Sequence, residues 1–585
     1  MTTRQLPQYS HISLQTLDSL KTSILASKDD LVAVDTETTG LKWIEDRAFG
    51  VSLAWDDKAT FLRNTDYSVV NIGAFLTDLF ASNKTFVFHN CEFDLHMIRE
   101  TYGVEPPQNI LDTLRIAALR DAGSHHGLKE LSVEEFGPSA AIYETTIKTY
   151  MTSYKLKNYS YVPPEFMDPY ACMDTVLTKA LAYLYKDAVM KDVPQLFELE
   201  HRLIPVLIDM EKTGIKVDLE YATILHRQFK GEQRNIQDEI YSIVGRPLEI
   251  GSTKQLQLYF YDELKLKPPF TTKGGGRSTN KDALEFLSYG NPGTAGSKVA
   301  DLVLRWRNLD KIDSTYVQAY RKHEHKGRIH GHWNASGALT GRFTGSEPNL
   351  QNIPRDKRVR RLLIPDYEFF DFDYSQIELR LMADKSEQQS MVQTFNDGGD
   401  LHAYTASLLY GVSPDQITKE QRQVGKHLNF GAIYGGGSRT LAKQCGVKEP
   451  QARYFLRQFW DSYAIMKNWG VEREQEGRRK GYVRTAYGRK VPFKTDNQYK
   501  NAANYIIQGS AADIVKYALL KTWWYVKSVG GSIRNTVHDS ITFDGIDESH
   551  VAPIRELMED IKGYNLPIKV DMQRSTKSWG DMVDE

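Results

Sequence analysis

Asp373 is the residue around which the chemistry of this chain can be arranged. It stands near the end of a strand predicted over 369–374, where Asp371 and Asp373 alternate with aromatic residues and so share one face. From Ser375 onward the apolar spacing changes to that of a helix. A carboxylate at the exposed end of a buried strand suits a hard divalent cation. A plain strand-to-helix junction with a capping acid explains this segment equally well.

A second pair of carboxylates lies near the N-terminus. Asp35 and Glu37 share a face of a β-branched strand predicted over 31–40. Two carboxylates so close repel each other unless a cation lies between them, although a polar strand end is the alternative interpretation. Further on, Asp94 lies where a predicted helix opens, and Tyr170 and Asp174 are four residues apart on one face of another predicted helix.

Two cations and two aromatic residues follow one another at intervals of four: Arg422, Lys426, Phe430 and Tyr434. On a helix predicted over 422–435 they form a single stripe. The charges suit a triphosphate, and the rings suit a sugar and a base. An ordinary amphipathic helix is the alternative, but a charged half and an aromatic half do not fit one core face.

A hairpin is predicted over 533–543, with its turn at His538-Asp539. An acid at that tip could reach a cation held by Asp373. Arg342 could bind a phosphate. Amide side chains that could contact bases and sugars follow in the irregular segment 347–354, among them Asn349 and Gln351. Asn504 and Gln508 are four residues apart on a predicted helix.

The elements that must position these residues are those of an ordinary globular protein. The 585 residues indicate three to four structural units, with 41% hydrophobic and 25% charged residues and a net charge of −1. Any phosphate-binding surface must therefore be local. Three widely spaced cysteines fit neither a zinc site nor a disulfide framework, and no apolar signal core or membrane span is found. We expect a soluble protein of a reducing, cytoplasmic compartment.

The middle of the chain adds helices and basic segments. Helices are predicted over 196–214 and 220–244. A glycine-rich basic segment, 271–279, is either a solvated loop or a contact to a phosphate backbone. The basic cluster 355–361 is either a solvated face or an electrostatic floor for nucleic acid.

The N-terminal residues resemble, in order, the motifs of the DEDDy 3′–5′ exonucleases: Asp35, Glu37, Asp94, Tyr170 and Asp174. Every motif position is filled. The resemblance implies an RNase H-like α/β domain over 1–188 that removes nucleotides from a single-stranded DNA 3′ end. The four carboxylates would hold two divalent ions, and Tyr170 would orient the attacking water.

The segments around Arg342, Asp373, 422–435 and His538 resemble the ordered motifs of family A DNA polymerases. With the exonuclease part, the match spans essentially the whole chain, is similar to a Klenow-type fragment and has no counterpart of a 5′-nuclease domain. A compact stand-alone enzyme of this kind is similar to phage enzymes. The resemblance implies a right-hand polymerase fold of α+β type divided as follows: 189–330 thumb and start of the polymerase domain, 331–375 first part of the palm, 376–500 fingers and 501–585 second part of the palm.

The resemblance also implies roles. Asp373, Asp539 and the Tyr374 carbonyl would hold two Mg²⁺, which Mn²⁺ can replace. Lys426 would also protonate the leaving group, and Glu378 would crowd the 2′ position and reject ribonucleotides. The dNTP would be bound by Arg422, Lys426, Phe430, Tyr434, Glu378, His402 and Gln376. Primer and template would be contacted by Arg342, Asn349, Gln351, Asn504, Gln508 and His538.

Two positions depart from the family pattern. Ser540 follows Asp539 where the family usually has Glu, so we predict that Asp373 and Asp539 suffice. Lys500 replaces an arginine and loses its bidentate geometry. Asp371 has no assigned role.

The resulting prediction is a DNA-dependent DNA polymerase with proofreading, serving replication or repair. It would work as a monomer on primer–template DNA and dNTPs, without a membrane, in the cytoplasm or in a host's cytoplasm if phage-encoded. Three alternatives remain: a nuclease whose C-terminal half only grips DNA, a single-subunit RNA polymerase, and a non-catalytic DNA-binding scaffold.

Overall fold

A computed structural model describes residues 4–13, 16–272, 274–290 and 292–584. They form two compact units. The first comprises the described parts of 1–212, 333–344 and 371–572, and the second those of 213–332, 345–370 and 573–585. No helix among these residues is long and apolar enough to cross a membrane.

The N-terminal part of the first unit alternates strands and helices. Its strands are β1 Ser10–His11, β2 Leu31–Thr38, β3 Ala48–Trp55, β4 Lys58–Arg63, β5 Thr85–Phe88 and β6 Ile110–Asp112. Its helices are α1 Leu17–Leu25, α2 Val69–Phe80, α3 Cys91–Tyr102, α4 Thr113–Arg120, α5 Leu128–Phe136, α6 Ile142–Tyr154, α7 Pro164–Asp192, α8 Pro194–Arg202 and α9 Ile204–Thr213. The strands form one mixed sheet in the order β1-β4-β3-β2-β5-β6.

Alternation along β2 separates the core from the predicted site. Val32 and Val34 are fully buried in one apolar cluster with side chains of α2 and α3. Asp35 and Glu37 therefore project to the opposite face, and α7 packs against β2, β3 and β4. The β-branched residues that favour the strand thus also direct its two acids toward α7.

The next segment is mainly helical. Its strands are β7 Ile215–Val217, β8 Glu324–His325, β9 Arg328–Ile329, β10 His332–Asn334, β11 Thr344–Ser346 and β12 Leu363–Ile364. Its helices are α10 Leu219–Val244, α11 Thr253–Gln257, α12 Lys281–Gly290, α13 Ala295–Ile312, α14 Ala319–His323 and α15 Lys357–Arg360. In the second unit β12, β7, β9 and β8 form a four-stranded sheet in that order.

The remaining chain combines a sheet with a long series of helices. Its strands are β13 Phe369–Tyr374, β14 Tyr482–Arg484, β15 Lys490–Pro492, β16 Ser532–Val537, β17 Ser540–Asp544, β18 Val570–Ser575 and β19 Val583–Asp584. Its helices are α16 Ile377–Ser386, α17 Gln389–Asn396, α18 Leu401–Tyr410, α19 Lys419–Ile433, α20 Ser438–Cys445, α21 Glu449–Ser462, α22 Ala464–Lys480, α23 Ala502–Ser528 and α24 Val551–Glu559. A five-stranded sheet has the order β16-β17-β13-β18-β19.

These elements confirm the predicted mixed α/β and α+β fold class, and several bounds agree closely with the sequence patterns. The strand predicted over 369–374 is β13, and the helix predicted over 220–244 is α10. The helix predicted over 196–214 is instead two helices, α8 and α9, divided at Leu203.

The basic segments of the second unit make internal ion pairs. Arg277 pairs with Asp262 through two nitrogen–oxygen contacts of 2.6 and 2.7 Å, while Lys273 of the same predicted segment lies outside the described residues. In the cluster 355–361, Arg358 pairs with Glu232 at 2.8 Å and Arg361 with Asp581 at 2.8 Å. These contacts favour the interpretation of a solvated face for part of the cluster.

Candidate active sites: two carboxylate clusters

The strand β13 and the hairpin β16–β17 bring two aspartates together. The Tyr374 amide donates a hydrogen bond to the Asp539 carbonyl oxygen at 3.2 Å, and the Asp373 and Asp539 side chains share a hydrogen bond. The aromatic residues between the acids of β13 are buried, and the Phe372 ring packs edge-on against Phe543 at 5.5 Å. Burial of this aromatic face directs Asp373 to the opposite, accessible side of the sheet.

The hairpin tip is a two-residue turn. Val537 pairs with Ser540, and His538 has a φ of 57°, as a tight turn requires. The predicted turn at His538-Asp539 is thus confirmed. Further along the sheet, the Thr542 hydroxyl donates to Asp371 at 2.5 Å. Asp371 therefore holds the hairpin against β13.

Negative charge accumulates at this edge. Displacement of bulk water, together with the charges of Asp539, Asp371 and Asp571, raises the pKa of Asp373 to about 8, although its surface remains accessible. Desolvation also raises the pKa of Asp539. Both carboxyl groups therefore hold protons more strongly than ordinary aspartates, and a divalent cation that binds there would displace them.

Glu378 lies in the first turn of α16, beyond Asp373. Its carboxylate forms an ion pair with Arg342, and the Glu378 side chain is only 13% exposed. Burial raises the pKa of Glu378, and Arg342 opposes that rise. Gln376, in the left-handed region with a φ of 54°, begins α16, and its buried side-chain oxygen has no hydrogen-bond partner among the described residues.

The predicted cation–aromatic stripe lies on α19 and its C-terminal end. The Phe430 and Tyr434 rings are parallel, with centroids 6.3 Å apart. Arg422 forms an ion pair with Asp400, which also caps α18 through the His402 amide at 2.8 Å. The cationic end of the stripe is therefore held by an acid of the neighbouring helix.

α18 and α19 pack closely. A Cβ on Gly425 would lie 2.2 Å from the His402 carbonyl oxygen, so glycine is required there. The His402 ring is buried, and Asn429 contacts its Nδ1 at 3.0 Å. Burial lowers the pKa of His402 to about 4. Its imidazole is thus neutral at physiological pH and can offer a hydrogen bond but no charge.

The predicted DNA-contacting residues fall in both units. Asn504 and Gln508 lie on α23, and the buried Asn504 side-chain oxygen has no partner among the described residues. His538 is exposed at the hairpin tip. In the second unit, Asn349 caps the short turn Leu350–Asn352 by accepting from the Gln351 amide at 2.9 Å.

The second carboxylate cluster is formed by β2, α3 and α7. Asp94, at the start of α3, accepts hydrogen bonds from the Thr36 amide at 2.9 Å and the Thr36 hydroxyl at 2.6 Å. Burial is the main reason why the pKa of Asp94 rises to about 7. Burial and repulsion from neighbouring acids raise the pKa values of Asp35 and Glu37 well above the ordinary range. The structure thus groups the acids predicted from sequence.

α7 supplies Tyr170 and Asp174 to the same cluster. Lys129, which the sequence patterns did not single out, forms an ion pair with Asp174. Its ammonium lies 4.8 Å from the centre of the Tyr170 ring. Burial raises the pKa of Asp174, and Lys129 opposes that rise.

Another buried acidic group does not have the same chemistry. The ligand atoms of Cys91, Glu92 and Asp112 lie close together. However, Glu92 pairs with Arg115, and Asp112 accepts hydrogen bonds from the amides of residues 90, 91 and 114. Burial raises the pKa of the Cys91 thiol. These groups are already neutralised or hydrogen-bonded, in agreement with a packing role for Cys91.

A third, fully buried charge network contains Glu200 of α8. Its carboxylate contacts Lys516 of α23 at 2.7 Å and Arg489 at 2.5 Å, and Arg115 of α4 at 3.4 Å. Burial opposes ionisation of Glu200, but the three cations lower its pKa to about 2. Glu200 therefore remains ionised and joins elements from distant parts of the first unit.

The donor sets of the two clusters fit hard divalent cations. Asp373 and Asp539 offer two carboxylates at the sheet edge, and Asp35, Glu37, Asp94 and Asp174 offer four carboxylates in the second cluster. In both places mutual repulsion and desolvation raise pKa values, so bound cations would relieve an unfavourable concentration of charge.

Comparisons with known proteins agree with this arrangement. The family model described as DNA polymerase family A matches residues 219–581, and that described as 3′-5′ exonuclease matches residues 13–186. DNA polymerase I of Chloroflexus aurantiacus is 31% identical over 589 residues, which cover 94% of this chain and 61% of that protein. The thermostable DNA polymerase I of Thermus thermophilus is 32% identical over 397 residues, covering 64% of this chain and 47% of that protein.

Similarity extends to a solved structure, the POL domain of Pol1 from M. smegmatis in complex with DNA primer-template and dNTP. The TM-score is 0.83 at 25% identity, covering 98% of this chain and 99% of that one. The chain spans about half to three-fifths of the length of the two curated relatives.

Proposed function

The chain belongs to DNA polymerase family A and carries an N-terminal 3′–5′ exonuclease domain, and on that premise we propose that it is a proofreading DNA-dependent DNA polymerase. It extends a primer 3′ end with dNTPs at the Asp373–Asp539 edge. It removes 3′-terminal nucleotides at the cluster of Asp35 and Glu37. The observation that carries the proposal is the hydrogen bond from the Tyr374 amide to the Asp539 carbonyl oxygen, which holds Asp373 and Asp539 at the same edge of the sheet.

At the polymerase site, Asp373, Asp539 and the Tyr374 carbonyl would hold two Mg²⁺, for which Mn²⁺ could substitute. When bound, such ions lower the pKa of a primer 3′-hydroxyl and neutralise charge on the transferred phosphate and leaving pyrophosphate. The protein's part is to fix two carboxylates at one edge. Ser540 stands beside Asp539 without adding a third acid.

The nucleotide is bound by α19 and its neighbours. Arg422 and Lys426 contact the triphosphate, and Lys426 delivers a proton to the leaving group. Arg422 exchanges its partner Asp400 for phosphate. The other nucleotide contacts are the rings of Phe430 and Tyr434 and the polar groups of His402 and Gln376.

Sugar selection depends on Glu378. Its ion pair with Arg342 fixes the carboxylate beside the site, where a ribose 2′-hydroxyl would meet a filled and poorly solvated space. Primer and template contacts come from Arg342, Asn349, Gln351, Asn504, Gln508 and His538. Such contacts to phosphates, sugars and minor-groove acceptors do not select sequence.

At the exonuclease site, Asp35, Glu37, Asp94 and Asp174 would hold two divalent ions, which would neutralise charge on a scissile phosphate and activate a water. Tyr170 orients the attacking water. Thr36 fixes Asp94 through two hydrogen bonds. The substrate is the single-stranded 3′ end of DNA.

The domain limits that we propose are 1–188 for the exonuclease, 189–330 for the thumb, 331–375 and 501–585 for the palm, and 376–500 for the fingers. The family matches over 13–186 and 219–581 support the main division. The enzyme acts as a monomer in replication or repair.

Primer extension tests the proposal. Purified protein with a primer–template, Mg²⁺ and dNTPs should lengthen the primer, and without dNTPs it should shorten it. Absence of extension would leave the nuclease alternative. A preference for rNTPs would favour an RNA polymerase, and absence of any metal-dependent turnover a DNA-binding scaffold.

A further inference from the structure

Lys129 places a positive charge among the carboxylates of the exonuclease site. Its side chain is 15% exposed, and the carboxylate of its partner, Asp174, is 8% exposed. Lys129 lies in the first turn of α5, and this helix is held in the core by the buried side chains of Leu131 and Phe136. Its backbone is thus anchored, whereas its four-carbon stem leaves the ammonium able to move.

The position of this ammonium differs from that of a surface ion pair. It lies over the Tyr170 ring at 4.8 Å, and its charge acts on Asp35, Glu37 and Asp174 together. By contrast, Lys21 of α1 pairs with Asp78 of α2 at 2.6 Å on the protein surface, where the carboxylate is 59% exposed. Lys129 therefore neutralises part of a buried acidic cluster rather than a single solvated acid.

The carboxylate oxygens of Asp174 cannot fully accept a hydrogen bond from the Lys129 ammonium and coordinate a divalent ion at the same time. An ammonium near a divalent ion is also repelled by it. We propose that Lys129 is a built-in cation that neutralises the metal-free exonuclease site and must leave Asp174 before a divalent ion binds there. Lys129 is a positioning residue in this sense, and the inference rests on the proposed exonuclease function.

The inference predicts opposite effects on two properties. Removal of the ammonium leaves the acids without their cation, so the metal-free protein becomes less stable. The same change removes a competitor, so the site binds divalent ions more tightly. A lysine with a purely structural role would lower stability without raising metal affinity.

Calorimetric titration with Mn²⁺ in an Asp373→Asn/Asp539→Asn background measures the exonuclease site separately. We expect Lys129→Met to raise Mn²⁺ affinity about tenfold, the size of one charge-assisted hydrogen bond. In EDTA the melting temperature of the same variant should fall by a few degrees, and saturating Mn²⁺ should restore it. Lys129→Arg should resemble the parent, and Lys21→Met, which removes the partner of the exposed Asp78, should change neither property measurably.

Unchanged or weaker Mn²⁺ binding by Lys129→Met would overturn the inference, as would an equal effect of Lys21→Met. If Lys129→Met does not fold, Lys129→Gln provides the same comparison with the hydrogen bond partly kept. Asp35→Ala/Glu37→Ala in the same background identifies the site measured. If that double change leaves the Mn²⁺ stoichiometry unaltered, the proposed exonuclease site itself is wrong. If the double change removes Mn²⁺ binding but Lys129→Met does not alter the affinity, only the inference about Lys129 is refuted.

Discussion

The Tyr374 amide donates a hydrogen bond to the Asp539 carbonyl oxygen, at 3.2 Å. This backbone contact joins the end of β13 to the tip of the β16–β17 hairpin. This hydrogen bond uses backbone atoms alone. The side chains of Asp373 and Asp539 do not take part in it, and both carboxylates lie at the same edge of the sheet. Replacement of one carboxylate therefore tests the chemistry without removing the backbone link.

Asp539→Asn should lower primer extension at least about a hundredfold, since the amide cannot replace an anionic ligand. Ser540→Ala should remain within a few-fold of the parent if two aspartates suffice. Single-turnover incorporation of one dNTP measures both variants. Near-normal extension by Asp539→Asn would refute the assignment.

Asp35→Ala with Glu37→Ala should abolish 3′-end degradation while extension stays within about twofold of the parent. These acids lie on β2, far in sequence from β13, and the double change also relieves repulsion within their own cluster. Degradation of a labelled single strand and extension of a matched duplex are measured side by side. Joint loss of the two activities would contradict independent sites.

Glu378→Ala should increase ribonucleotide incorporation relative to deoxyribonucleotide incorporation by about tenfold or more, because it opens the space beside the sugar. Glu378→Gln keeps the shape of the side chain but loses the charge that faces Arg342. If Glu378→Gln still discriminates against ribonucleotides and Glu378→Ala does not, the shape of the side chain rather than its charge selects the sugar. Competition between an rNTP and its dNTP provides the measurement, and unchanged selectivity in both variants would exclude Glu378 from this role.

Metal dependence of extension should vary with pH. The pKa of Asp373 is raised to about 8, so at lower pH a cation must displace a proton, and apparent Mg²⁺ affinity should increase up to about pH 8 and then level off. In the metal-free protein the same raised pKa stabilises the fold at low pH, and that contribution is lost as the pH rises through about 8. Mg²⁺ titrations between about pH 6 and 9 check the profile.

Asp371→Asn supplies the control for this profile. It removes one of the negative charges that raise the pKa of Asp373, so the rise in Mg²⁺ affinity should move to lower pH. The amide can still accept the hydrogen bond from Thr542. A profile that is flat in both proteins would show that Asp373 does not titrate in this range.

Glu200→Gln should destabilise the protein by about 3–5 kcal/mol, because Arg115, Arg489 and Lys516 would lose a buried anion. Glu198→Gln is the matched control on the same helix. Its carboxylate is 67% exposed and pairs with Arg202, so its loss should cost at most about 1 kcal/mol. Urea unfolding followed by tryptophan fluorescence compares the midpoints; equal shifts would contradict the network's importance.

Sequence patterns predicted those parts of the site that depend on local periodicity. Alternation identified β13 and the face of Asp373, and the interval of four identified the stripe on α19. The turn at His538-Asp539 was predictable because a strand-like segment lies on each side of these two residues. Each of these features depends on a short continuous segment of the sequence.

Other contacts could not be predicted because they join residues with no common local pattern. Lys129 resembles any lysine near a helix N-terminus until α5 and α7 are packed together. Arg342 and Glu378 were each identified, but not as an ion pair, and the role of Asp400 as partner of Arg422 was missed. Tertiary packing alone determines these pairs.

The separation of Asp373 from its hairpin partner also has a consequence for biosynthesis. Asp539 is translated later than β13, because the ribosome must first synthesise the segment 376–538. At usual rates of translation that segment takes on the order of ten seconds to make. The exonuclease acids, in contrast, have all been synthesised once Asp174 has left the ribosome. The acids proposed for nucleotide removal are therefore all synthesised before Asp539, the second acid proposed for nucleotide addition, has been made.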